Sequence, residues 1–162
     1  MDRKTNMEDK ILYMYLDFDG VLTTKFSVSS KLHPGLQFDD VCVDNLKAIL
    51  IELKNLFAEI TIVVISDWRY DLSRDQLKYI LIEKYGLEQF IDRIEFTDKG
   101  NTRENEIKQH LAMIGEADAF VILDDMRYRD GLLIKHLVRT RAEDGIRAYE
   151  DVRACIMQIL HK

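Results

Sequence analysis

Five short apolar runs, separated by amphipathic or polar stretches, organise this chain. Ile11–Leu22, ILYMYLDFDGVL, opens with an aromatic-rich stretch of strand type that ends at Asp17 and can turn at Gly20. Ile60–Ile65 (ITIVVI) and Ala119–Leu123 (AFVIL) lack polar alternation, as strands buried on both faces do. Arg93–Phe96 and His136–Thr140 predict two shorter strands. Between them, Asp40–Ala58 places Val41, Leu46, Ile49, Leu50, Leu53 and Leu56 near one helical face. Leu72–Tyr85 predicts a second helix, stopped by Gly86. Thr102 is placed to cap a third helix from about Arg103 to Ile114, with Glu106 near the position of a capping box. Tyr149–Leu160 predicts a closing amphipathic helix. Thr23–Asp39 has no period and carries Ser27, Ser29, Ser30, Pro34 and Gly35, which predicts a flap beside the end of the first strand. Strands alternating with helices predict a doubly wound, mainly parallel α/β sheet sandwiched by helices and joined by right-handed crossovers.

Composition narrows the class. The 162 residues, 47% hydrophobic and 32% charged, suffice for one well-filled domain, residues 1–162, and are few for two. Residues 1–10, MDRKTNMEDK, are polar and predict a flexible N-terminus without a signal-peptide core. A net charge of −6 argues against broad adhesion to nucleic acid or membrane. Arg127, Arg129, Arg139 and Arg141 leave room for a local basic patch, although a solvated face is the simpler reading. Cys42 and Cys155 have neither zinc spacing nor a disulfide-framework count, which fits a reducing compartment. No apolar run approaches a membrane span, so a soluble cytoplasmic protein with no membrane partner is expected.

The candidate chemistry lies at the strand ends. Asp17 and Asp19, Ser66, and Asp124 with Asp125 each follow an apolar run, and an open α/β sheet would bring them to one edge. Arg103 opens a helix whose N-terminus can face that edge. Singly, each has a plain structural reading: strand-end turn residues, a solvated arginine, and Trp68 as a packing anchor rather than a base-stacking platform beside Arg69. Arg103 is even unfavourable with the helix dipole, a broken local rule of the kind found at sites. Together they fill the roles of phosphoryl transfer. Asp17 would attack phosphorus, and Asp19 would protonate the leaving oxygen and later activate water. Ser66 would hydrogen-bond a phosphoryl oxygen, and the fork of Arg103 would neutralise its charge. Asp17, Asp19, Asp124 and Asp125 would offer oxygen ligands to Mg2+.

The motifs LDFDGVL, VVIS, the basic Arg103 and ILDD resemble the four motifs of the haloacid dehalogenase (HAD) superfamily of phosphatases and phosphotransferases. More narrowly, VVIS-D-WR, then R-E-N-E-I, VILDD and the late Gly145-Ile146 look like the HAD domains of "Swiss army knife" RNA repair proteins. The resemblance runs from Ile11 to about Ile146. It implies a HAD-like Rossmannoid fold and a Mg2+-dependent phosphatase acting through an aspartyl-phosphate, with Asp19 as the retained second acid. The superfamily more often has Lys where Arg103 stands, and Lys99 lies four residues earlier as the other candidate. Asp67 stands where the narrower family commonly has a small hydroxyl residue.

The intervals Thr23–Glu59 and Tyr70–Thr102 hold too few elements for a folded cap, which predicts a capless, open site. An open site suits a bulky phosphate carrier such as a nucleic-acid end or phosphoprotein, with nucleotides also admissible. The alternative from another class is a non-catalytic phosphate- or nucleic-acid-binding module on the same scaffold, against which the intact Asp17/Asp19 pair counts.

Overall fold

The computed structural model describes residues 10–27, 37–115 and 119–161. Five strands, β1 (Ile11–Leu16), β2 (Glu59–Val64), β3 (Arg93–Phe96), β4 (Ala119–Asp124) and β5 (Leu137–Arg139), form one parallel sheet in the order β3-β2-β1-β4-β5. Leu16 stands level with Val64 on one side and Leu123 on the other, so the three longest strands end within one residue of one another. That alignment sets the residues following them side by side at the carboxyl edge, where open α/β sheets bind ligands.

Period-two alternation divides the apolar side chains between two cores. Leu12, Met14, Leu16, Ile62, Val64, Val121 and Leu123 face one side. There they pack against α1 (Asp40–Lys54), α2 (Arg74–Tyr79) and the closing α5 (Tyr149–Leu160). Tyr15, Val63, Ile65, Phe120 and Ile122 face the other, under Ile107 of α3 (Arg103–Ile114) and Leu133 of the one-turn α4 (Gly131–Ile134). The sheet is therefore covered on both faces, as its uninterrupted apolar strands require.

Three details differ from the sequence reading. In α1 the buried stripe is Cys42, Val43, Leu46, Ile49, Leu50 and Leu53; Val41 lies off it and is exposed, and the helix stops at Lys54. The predicted Leu72–Tyr85 helix begins two residues late, because a 3₁₀ turn (Asp67–Tyr70) and a Ser73/Gln76 capping box precede it. It then continues as a π-helical stretch, Ile80–Lys84, before Gly86. Residues 1–9 of the predicted flexible terminus and 28–36 of the predicted flap lie outside the described residues. The described ends of the flap are tied together: the Asp39 N–H donates to the Leu22 carbonyl at 2.7 Å. No helix among the described residues is long and apolar enough to cross a membrane.

Candidate active site

The site starts where β1 runs out. The Asp17 N–H donates to the Leu123 carbonyl at 3.0 Å, which seats this residue at the carboxyl edge, and its Oδ1 accepts the Phe18 N–H at 2.8 Å. The chain then curls so tightly that Val21, Leu22 and Thr23 all donate to the Phe18 carbonyl, at 3.1, 2.8 and 3.0 Å. Gly20 sits in this curl at φ +77°, and a Cβ there would overlap the Asp125 carboxylate. Only glycine lets the two acidic loops come so close. The late Gly145-Ile146 pair grips the same curl. Ile146 N–H donates to the Val21 carbonyl at 2.9 Å, and a Cβ on Gly145 would strike that carbonyl.

Asp124, the last residue of β4, is fully buried. Its Oδ1 accepts the Met126 N–H at 3.1 Å, and its Oδ2 accepts both the Tyr128 hydroxyl and Arg103 Nη1 at 2.7 Å. The Arg103 side chain, at 8% exposure almost buried itself, also pairs with Asp17 Oδ2 at 3.3 Å and with Asp67 Oδ1 at 3.1 Å. One guanidinium thus joins the ends of β1, β2 and β4. Carboxylate oxygens of Asp17, Asp124 and Asp125 lie within 4.8 Å of one another.

Burial, and then the charge of Asp124, push the Asp17 carboxyl up to about 8, against the smaller downward pull of Arg103. Burial also works against the charged form of Asp124, but Arg103 and the hydrogen bonds from Tyr128 and Met126 outweigh it and hold its carboxyl below the usual range. Asp125 is raised by burial and by Asp124. Three oxygen donors with excess negative charge on one side suit a hard divalent cation, which would relieve the repulsion that raises Asp17. The residues present therefore fit Mg2+.

Of the four acids expected as metal ligands, three gather in this way. The carboxylate of Asp19 is turned elsewhere: its Oδ1 accepts from Thr23 Oγ1 and from the Trp68 indole N–H, each at 3.1 Å. Asp19 is exposed at the mouth of the site. Ser66 is fully buried at the end of β2, where its Oγ accepts the Trp68 N–H at 3.2 Å and caps the 3₁₀ turn. Between the two basic candidates, Arg103 touches Asp17 and Asp124, whereas Lys99 is exposed with its Nζ 5.7 Å from the Tyr70 ring centre. Asp67, the family departure, pairs with Arg103 from the solvent side.

Two further residues support the site. Arg69 is interior: it donates to the Ser66 carbonyl (2.8 Å), the Thr97 carbonyl (2.8 Å) and Glu106 Oε1 (2.9 Å). It locks the turn after β2 to the end of β3 and the first turn of α3, which carries Arg103. Glu106 consequently forms no capping box: Thr102 caps the Asn105 N–H, and Glu106 lies one residue further on and is drawn to Arg69 and the Asn101 N–H. Tyr128 escaped the sequence reading because its partner is reached only through the path of the 125–130 loop. The Arg69–Glu106 pair spans 37 positions and has no local signature either.

A parallel sheet with Asp-x-Asp just after its central strand, a serine after the next and an acid pair at the end of the third defines a HAD-like domain. The family model for the HAD domain in Swiss Army Knife RNA repair proteins matches residues 13–150, and the chain belongs to that family. No curated protein matches the chain significantly.

Proposed function

We propose that this domain is a Mg2+-dependent phosphatase that hydrolyses phosphomonoesters through a phosphorylated Asp17. One observation carries the reading: a buried Asp17 at the carboxyl edge is in ion-pair contact with Arg103 and grouped with two further carboxylates. Asp17 Oδ2 attacks phosphorus while the P–O bond to the leaving group breaks and its electron pair departs with that oxygen. Asp19 delivers the proton to the leaving oxygen, then removes one from the water that cleaves the aspartyl-phosphate. Arg103 exchanges part of its carboxylate contact for the transferring phosphoryl group, whose planar oxygens suit its fork. Ser66 can turn its hydroxyl proton toward a phosphoryl oxygen while its lone pair keeps the Trp68 N–H. Mg2+ held by Asp17, Asp124 and Asp125 would supply masking of the repulsion between carboxylate and phosphate.

Among the described residues, the interval between β1 and β2 holds only α1, and that between β2 and Arg103 only short helical segments and β3. The site is thus proposed to be open, which favours a phosphate on a bulky carrier; the RNA-repair description of the family favours a nucleic-acid end, with nucleotides also admissible. The test is hydrolysis of an aryl phosphate with and without Mg2+, by the wild type and Asp17→Asn, followed by 5′- and 3′-phosphorylated RNA and DNA. Metal-dependent turnover lost in Asp17→Asn is expected. Turnover that survives the substitution would overturn the assignment of Asp17, and absence of turnover on every substrate would favour the binding-module reading.

A further inference from the structure

We propose that Trp68 is a positioning residue for the acid/base carboxylate: its indole N–H holds Asp19 in the orientation that delivers a proton to the leaving group. The inference rests on the phosphatase reading above and assigns a task to a residue that packing alone would otherwise explain.

The geometry has three parts. First, Asp19 lies beyond the end of β1, in an isolated bridge with Thr23, and it is exposed, so its carboxylate is held by side-chain contacts. Secondly, two donors from different segments converge on the same oxygen. Trp68 Nε1 reaches Asp19 Oδ1 at 3.1 Å from the turn after β2, and Thr23 Oγ1 reaches it at 3.1 Å from within the first loop. Oδ2 receives neither, so the carboxylate is held by one oxygen and offers the other to the substrate. Thirdly, the indole cannot swing away freely. Its ring meets Phe18 edge-on at 5.2 Å between centroids and lies against Phe38 at 5.5 Å. Phe38 is in turn stacked on Tyr85 at 4.5 Å.

At its base, Trp68 belongs to the 3₁₀ turn capped by Ser66 and anchored from beneath by Arg69. A rigid aromatic group thus carries a single polar atom out to the exposed Asp19 carboxylate. A phenylalanine would keep an aromatic ring against Phe18 and Phe38 without any N–H. The choice of tryptophan is accounted for by its donor, which a purely apolar anchor does not need.

The step that depends on this contact is proton transfer to the departing oxygen, as the P–O bond breaks and Asp17 takes the phosphoryl group. A poor leaving group needs that proton; a good one departs without it. The decisive experiment compares wild type, Trp68→Phe and Asp19→Asn on an alkyl phosphate and on an activated aryl phosphate such as 4-nitrophenyl phosphate. Trp68→Phe keeps an aromatic ring beside Phe18 and Phe38 and deletes the donor, and the volume it loses affects both esters alike. It should lower kcat/KM about tenfold on the alkyl ester and less than about twofold on the aryl ester, as loss of one hydrogen bond to a charged group predicts. Asp19→Asn should show the same pattern more steeply.

Equal losses on the two esters, or none on either, would overturn the proposal, because a merely structural role has no reason to distinguish leaving groups. A second reading comes from the chain's only tryptophan. Neutralising its carboxylate partner in Asp19→Asn should change the intrinsic emission, and an unchanged spectrum would contradict the contact itself. If the wild type hydrolyses neither of these esters nor 5′- or 3′-phosphorylated RNA and DNA, the phosphatase reading fails and the role of Trp68 fails with it. If the wild type turns over both but the leaving-group pattern is absent, the phosphatase stands and only Trp68 falls.

Discussion

Replacing Asp17 by Asn should stabilise the metal-free protein at alkaline pH while abolishing the proposed chemistry. Burial and the facing Asp124 lift the Asp17 carboxyl from 3.8 to about 8, so the folded protein holds a proton that the unfolded chain would release. The folded value lies above the unfolded one. Stability linked to this proton is therefore complete below about pH 4 and is lost as the pH climbs through about 8. At about 1.4 kcal/mol per tenfold change in proton affinity, the ceiling is about 6 kcal/mol. Relaxation of the surrounding loops reduces that figure, and so does loss of the 3.3 Å Arg103–Asp17 pair in the variant. About 2–3 kcal/mol is then expected to remain, or about 5–10 °C in Tm for a chain of this size. Thermal unfolding followed by circular dichroism in a chelator, at about pH 5 and about pH 8.5, reads the difference directly. Asn should exceed Asp at the higher pH, and the margin should shrink at the lower. A difference independent of pH, or a variant less stable at about pH 8.5, would refute the argument that Asp17 is held against its charge. Saturating Mg2+ should reverse the order, because a cation at 100 times its Kd adds about 2.7 kcal/mol to the protein that binds it.

Three other perturbations separate the parts of the site. Arg69→Met should cost about 3–5 kcal/mol, because it strands Glu106, at 2% exposure, without its cationic partner. Adding Glu106→Leu should recover part of that loss in denaturant titrations, and no recovery would mean that the carbonyl contacts of Arg69 dominate. Gly20→Ala should weaken Mg2+ binding by calorimetry, because the new Cβ must displace the Asp125 carboxylate, with about 1–2 kcal/mol of backbone strain added at φ +77°. Unchanged metal affinity would remove Asp125 from the ligand set. Asp67→Ser should tighten inhibition by inorganic phosphate about threefold to fivefold at low salt, since it removes a charge at the mouth and frees one arm of Arg103. Weaker inhibition would show instead that Asp67 is needed to hold that arginine.

Much of the architecture was legible because it depends on local pattern. The uninterrupted apolar runs at β1, β2 and β4 specify strands buried on both faces, and the helical stretches between them leave parallel pairing as the natural outcome. Asp17, Ser66 and Asp124 stand at the ends of those runs, so a single assumption, that the strands end level, brings them together. The Leu16–Val64 and Leu16–Leu123 registers meet it. Gly20 beside Asp19 already signalled a sharp turn.

Long-range geometry decided the rest. Whether Arg103 or Lys99 enters the site depends on where α3 begins relative to β4. Only the fold shows Arg103 spanning Asp17, Asp67 and Asp124 while Lys99 rests near Tyr70. The sequence counted Asp19 with the metal acids because it counts carboxylates without directions. In space, Trp68 and Thr23 turn that carboxylate away from the group formed by Asp17, Asp124 and Asp125. Arg69, read only as the neighbour of Trp68 beside the site, is an interior clamp. Charge type and spacing along a chain determine which chemistry is available; burial and the meeting of distant loops determine which group carries it, because desolvation and hydrogen-bond direction exist only once the chain has folded.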